Sequence, residues 1–236
     1  MKDLLNHLID NPCRGIIAGR DLFGNGVQIF LVMGRSEKGK NRKCIIENES
    51  AIATRASDAA AYDESLTFTV MTQTSNSHIV SNWNQTSGIY QRLKKNDGKT
   101  PEKFFDALGD YSYALDAPVF TPRISACHDV SNLGKIYLSL IKKGAGKQGS
   151  SLTERFNYSF GVDCGSGYCI TTYMPGSETL PSFSRDPILI NIDKPLDALI
   201  KSLWESLDDR WRVSIVGKSI YRDNSFRYLK PINKFG

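Results

Sequence analysis

Residues 15–33 read Gly15-Ile16-Ile17-Ala18-Gly19-Arg20-Asp21-Leu22-Phe23-Gly24-Asn25-Gly26-Val27-Gln28-Ile29-Phe30-Leu31-Val32-Met33. Two apolar runs flank a Gly-Asn-Gly turn at Gly24–Gly26, which is the pattern of a β-hairpin. Working outward, Leu4, Leu5, Leu8 and Ile9 share one face of a short amphipathic helix that stops at Asn11-Pro12, because the residue before proline leaves the helical region. Downstream, further strands are expected over 43–52, 66–72, 78–81, 123–128, 135–141, 155–161, 168–174, 188–192 and 212–220. Helices are fewer. One is expected over 85–94 and one from Thr100-Pro101-Glu102 to Leu108, with Thr100 as cap and Pro101 at the first helical position. The clearest runs from Pro195 to Leu207, where Leu196, Leu199, Ile200, Leu203, Trp204 and Leu207 recur at helical spacing, as a core-packing stripe does. Residues 142–151, rich in Gly, Lys and Ser, read as a hairpin connection, since strand signals resume on both sides. Many strands and few helices imply an α+β layered fold in one domain spanning residues 1–236.

The composition excludes several classes. The chain has 236 residues, 40% of them hydrophobic and 23% charged, an ordinary globular balance that rules out wholesale disorder. Thirty Lys and Arg against 25 Asp and Glu give a net charge of +5. That balance suits an anionic small molecule and falls short of a dedicated nucleic-acid binder. No apolar run approaches the roughly 20 residues that cross a bilayer. Residues 1–10 alternate Leu with polar residues and lack a signal-peptide core, so a cytoplasmic protein is expected.

Five cysteines (Cys13, Cys44, Cys127, Cys164 and Cys169) make an odd, scattered set, unlike a disulfide framework. With His7, His78 and His128 they form no zinc spacing, so no metal site is expected. Cys127 and His128 are neighbours on a strand and point to opposite faces, which argues against a nucleophile pair. Cys13 would become an N-terminal nucleophile only after cleavage behind Pro12; a packed thiol at a strand start is the simpler reading.

Three polar segments are candidates for chemistry. The loop Gly34-Arg35-Ser36-Glu37-Lys38-Gly39-Lys40-Asn41-Arg42 concentrates cations around two glycines. Guanidinium groups bind phosphate bidentately, and a glycine loop lets backbone N–H groups approach an anion. The alternative is a solvated basic loop. Ser81-Asn82-Trp83-Asn84-Gln85-Thr86 offers amides and hydroxyls for a base or carboxamide edge, or for turn-making and capping. In Thr121-Pro122-Arg123-Ile124, proline sets the entry to a strand, and Arg123 beside an apolar run needs a partner, either a salt bridge or an anion.

Together these segments resemble the archaeal-type, PurO-like IMP cyclohydrolases and their bacterial homologues. The matching pieces begin with Asn11-Pro12, Arg14-Gly15-Ile16, Met33-Gly34-Arg35-Ser36-Glu37 and Asn41-Arg42. His78-Ile79-Val80 follows with Asn82, Gln85 and Thr86, then Asp116-Ala117-Pro118 and Thr121-Pro122-Arg123-Ile124-Ser125. Gly165, Gly167, Thr172-Tyr173, Leu180-Pro181-Ser182-Phe183, Trp204, Leu207 and Arg212-Val213-Ser214 complete the order. The resemblance implies a four-layer αββα sandwich like that of N-terminal nucleophile hydrolases, without self-processing. It implies closure of 5-formamidoimidazole-4-carboxamide ribonucleotide (FAICAR) to IMP with loss of water, and needs no cofactor and no metal. On that resemblance Arg35, Arg123 and Asn82 are the catalytic candidates. Arg14, Ser36, Asn41, Arg42, Asn84, Gln85, Thr86 and Thr121 are the substrate-binding ones. The implied partner is a small ribonucleotide, with neither nucleic acid nor membrane; the sequence leaves open whether the chain forms a homo-oligomer.

The chain departs from the family pattern at Phe68-Thr69, in place of Tyr-Asn, at Val119-Phe120, in place of Asn-Tyr, and at Ser166, in place of an acidic residue. A Tyr→Phe exchange keeps ring packing and deletes a proton donor, so these departures bear on the reaction rather than on the fold. Two other readings follow: another amide-type cyclisation or hydrolysis on the same scaffold, or a non-catalytic nucleotide-binding relative.

Overall fold

A computed structural model describes residues 8, 11–56, 67–95, 102–144, 152–175 and 180–235. The helix expected over residues 4–9 lies, Leu8 apart, outside them, as do Leu66, the Thr100-Pro101 cap and residues 145–151 of the connection. The fold is α+β, dominated by two antiparallel sheets with a few helices.

The opening hairpin is the centre of the first sheet. β1 (Arg14–Arg20) and β2 (Gly26–Met33) pair in register from Arg14↔Val32 to Arg20↔Gly26. The turn starts at Asp21, whose carboxylate accepts the N–H groups of Phe23 and Asn25 at 2.9 and 2.8 Å. Gly24 takes the left-handed φ of +83° that closes the turn and that glycine adopts without strain. β10 (Ser166–Thr171) pairs with β1, and β11 (Ile188–Asn191) lies outside it. β12 (Arg212–Ile220) pairs with β2 and carries two short strands, β13 (Phe226–Tyr228) and β14 (Ile232–Asn233).

The second sheet runs in chain order: β3 (Arg42–Glu47), β4 (Ser50–Arg55), β5 (Phe68–Gln73), β6 (Ser77–Ser81), β7 (Arg123–Asp129), β8 (Lys135–Lys143) and β9 (Thr153–Gly161). The single strand expected over 43–52 is instead a hairpin. Asn48 and Glu49 both take positive φ (46° and 57°), the geometry of a tight two-residue turn, and apolar residues on both arms hid it.

Period-two alternation sorts side chains between layers. Ile16, Ala18, Phe30 and Val32 from the first sheet meet Val70, Val80, Ala126 and Leu138 from the second in one buried cluster. On the opposite face of the first sheet, Ile17, Ile29, Leu31 and Met33 pack with Leu196, Leu199, Ile200 and Leu203 of a helix at Leu196–Ser206. The far face of the second sheet buries Ile79, Cys127, Tyr137 and Ile141 against Ile89, Leu93 and Phe104. Ile89 and Leu93 belong to a helix at Gln85–Lys95 and Phe104 to a short one at Glu102–Asp106. Cys127 therefore faces a helix while His128 lies between the sheets, its Nε2 2.9 Å from the Gly19 carbonyl oxygen. No helix among the described residues is long and apolar enough to cross a membrane.

Candidate active site

A cavity of about 420 Å³ opens where β1 and β7 begin and β2 ends. The loop after β2 forms one wall. Gly34 donates its N–H to the Trp211 carbonyl at 2.8 Å, and a Cβ there would lie 2.6 Å from the backbone of Gly39, so only glycine lets the loop fold back on itself. Ser36 then caps a single helical turn, Glu37–Lys40, accepting from the Gly39 N–H at 3.1 Å. This geometry brings Arg35 and Ser36 to the cavity beside Arg14, the first residue of β1, and Arg42, the first of β3.

Arg42 is buried, its guanidinium 5.6 Å from the Phe68 ring centroid and 5.9 Å from that of Trp83. Phe68 and Trp83 pack on each other at 4.8 Å. Arg123 sits on the same indole, at 5.1 Å. It stands beside the cavity rather than in its wall. Burial lowers its pKa to about 10; nearby Asp116 opposes the shift and Arg14 adds to it. Planar guanidinium groups stacked on rings are held in orientation at little entropic cost.

Asp116, Thr121 and Tyr173 line the same cavity. Asp116 accepts the Thr121 N–H at 2.6 Å and also the Thr121 hydroxyl. Tyr173 Oη lies 2.6 Å from Thr121 Oγ1. A threonine hydroxyl has one proton, so if Asp116 receives it, the Tyr173 hydroxyl must donate to Thr121. Burial holds the Tyr173 phenol above its ordinary pKa, so it stays protonated at neutral pH. The result is a directional chain from tyrosine through threonine to a carboxylate.

The amide cluster expected to contact substrate is engaged elsewhere. Asn82 donates to the Pro122 carbonyl at 2.9 Å and accepts from the Ile124 N–H and from Gln85, both at 3.0 Å. Gln85 also donates to the Ile124 carbonyl, and Thr86 Oγ1 to that of Trp83. These three buried side chains lock the turn after β6 to the start of β7, which aims Trp83 and Arg123; none lines the cavity. Asn84 is exposed, and Asn41 closes the helical turn through its backbone; neither lines the cavity. Of the expected residues, Arg14, Arg35, Ser36, Arg42 and Thr121 come together. Asp116, Tyr173 and Trp83 join them although sequence reasoning gave them no role. Cys13 is fully buried, and burial pushes its thiol up to about 12, as for a packed side chain rather than a nucleophile. Among the described residues no cluster of three or more His, Cys, Asp or Glu is placed to hold a metal ion.

The family model for IMP cyclohydrolase-like proteins matches residues 12–224. The chain belongs to the IMP cyclohydrolase-like family. No curated protein matched it. The residues expected to depart from the family pattern have distinct placements. Phe68 lies under Arg42 and contributes a ring face rather than a hydroxyl. Val119 lines the cavity, whereas Phe120, at a left-handed φ of +46°, turns away toward Tyr113 and Lys143. Ser166 begins β10 and bonds the Asp163 carbonyl; it is seven residues along the chain from Tyr173, roughly 20 Å of extended strand away.

Proposed function

We propose that this protein closes FAICAR to IMP with loss of water, on a four-layer αββα plan like that of N-terminal nucleophile hydrolases. The observation that supports the reading is the cavity itself, whose lining combines Arg14, Arg35 and Arg42 with the Tyr173–Thr121–Asp116 chain. The arginines hold the 5′-phosphate, and the indole of Trp83 gives the flat base a wall. Fixing the carboxamide nitrogen against the formyl carbon removes much of the entropic cost of ring closure.

The nitrogen attacks the formyl carbon, a C–N bond forms, and the carbonyl oxygen gains charge that the neighbouring guanidinium groups stabilise. The nitrogen's proton passes to Tyr173, whose own proton moves to Thr121 and that of Thr121 to Asp116. Reversal of the chain protonates that carbonyl oxygen to a hydroxyl. The formamide nitrogen then gives its proton to the chain as the C=N bond forms, and the chain passes it to the hydroxyl, which leaves as water. The products are IMP and water, and atoms balance without a cofactor.

A second reading, a different amide-type ring closure or opening, draws on Val119, an apolar wall where the family carries an amide. A purely nucleotide-binding relative would leave the tyrosine-to-carboxylate chain without a task. The test is to incubate the purified protein with FAICAR and follow IMP by chromatography. IMP forming well above the uncatalysed rate supports the reading; no turnover by a folded sample overturns it.

A further inference from the structure

Two more pockets extend outward from the cavity, one beyond the other. The first, about 300 Å³, shares Val119 and Leu180 with the cavity wall and adds Phe120, Lys142 and Lys143. The next, about 440 Å³, shares Lys142 and adds Phe156, Tyr158, Phe183 and Arg185. Each repeats the cation-on-ring pairing that Arg123 and Trp83 make beside the cavity. Lys143 Nζ lies 3.5 Å from the Phe120 ring centroid, and Lys142 Nζ 4.9 Å from that of Phe156. The charge is nearly balanced: Lys142, Lys143 and Arg185 stand against Glu154 and Asp186, whose residues line the same two pockets. Glu154 is itself 3.8 Å from Lys142. The lining thus carries a net positive charge, the sign that suits a phosphodiester. The floor of the outer pocket is apolar, built on the buried Leu140 and Phe183, and Phe156 leaves a ring partly exposed above it. Ring faces beside lysines form the kind of surface on which nucleobases stack while the backbone phosphate is neutralised.

We propose that these adjoining pockets form a second nucleotide subsite, so that the protein binds a 5′-phosphorylated dinucleotide with its first unit in the cavity and its second on Phe120, Phe156 and the two lysines. The proposal rests on the reading of the cavity as a nucleotide site, and not on the ring closure.

The test is calorimetric titration of the wild type with AMP, ADP and the dinucleotide pApA, repeated on the Lys142→Ala/Lys143→Ala double variant. A Phe156→Ser variant, altered at a partly exposed ring, repeats the test with the charges intact. The expected result is that pApA binds the wild type at least tenfold tighter than AMP or ADP. That advantage falls to within twofold in the double variant and is reduced in Phe156→Ser, while AMP affinity stays unchanged in both. Equal affinities for pApA and AMP in the wild type would overturn the proposal. So would an advantage that survives in both variants, or an equal gain for ADP, which adds charge without a second base. FAICAR turnover is read separately on the same samples: loss of turnover with the pApA preference intact removes the ring-closing reading and leaves the subsite standing.

Discussion

At the residue scale, the site depends on how two guanidinium groups are seated. Arg42 and Arg123 share the indole of Trp83, so their planes, and not only their charges, are positioned. Lysine carries the charge on a flexible stem and cannot make the flat stack or the fork. Arg123→Lys is therefore expected to hold its thermal midpoint within a few degrees while nucleotide affinity or turnover falls at least about tenfold, roughly 1.4 kcal/mol. A collapsed midpoint with affinity unchanged would make Arg123 a structural residue. The basic loop and Thr121 entered the site through the family resemblance, because by residue type alone clustered cations also suit a solvated surface and a Thr-Pro-Arg strand entry also suits a salt bridge. Asp116 and Tyr173 did not. Their role comes from a contact between residues 52 apart in the chain, Thr121 and Tyr173, and no local pattern announces it. Asn82, Gln85 and Thr86 misled for the opposite reason: an amide that braces a turn and one that reads a base have the same sequence signature.

At the element scale, the long helix was plain in the sequence, because its apolar residues recur at 3.6-residue spacing. The β3–β4 hairpin was hidden, since its two-residue turn is Asn48-Glu49 and contains no glycine. Glu49 sits at φ 57°, where a side chain strains the backbone. Glu49→Gly relieves that strain and completes the favoured Asn-Gly turn. It is expected to stabilise the protein by about 1 kcal/mol, raising the thermal midpoint by roughly 2–4 °C in a chain of this size. A lower midpoint in differential scanning calorimetry would contradict the turn assignment.

At the scale of the whole molecule, the two sheets enclose a polar cluster at the end away from the cavity. Lys218, His78 and His128 are fully buried there. Lys218 Nζ contacts Gln73 Oε1 at 2.5 Å and lies 4.4 Å from the Phe226 ring centroid. Burial, helped by the nearby Lys218 charge, lowers His78 to about 2 and His128 to about 4. The unfolded chain takes up these protons as pH falls through about 6.5, whereas the folded chain resists until far lower pH. Stability from the histidines is thus complete above about pH 6.5 and is lost progressively toward pH 4. Urea midpoints measured from pH 7 to pH 4.5 are expected to fall steadily, and His128→Gln, which cannot take up a proton, to flatten the slope. A midpoint independent of pH over that range would contradict the neutral, buried state of both rings.

In the proposed reaction a tyrosine-to-carboxylate chain moves the proton while the arginines hold the nucleotide. Tyr173→Phe keeps the ring and deletes the link, so kcat and KM for FAICAR in this variant report on that proton transfer. The predicted result is a kcat lower by about 10²- to 10⁴-fold, the usual weight of a positioned acid–base group, with KM within a few-fold of the wild type. Wild-type kcat in a folded Tyr173→Phe protein would contradict it.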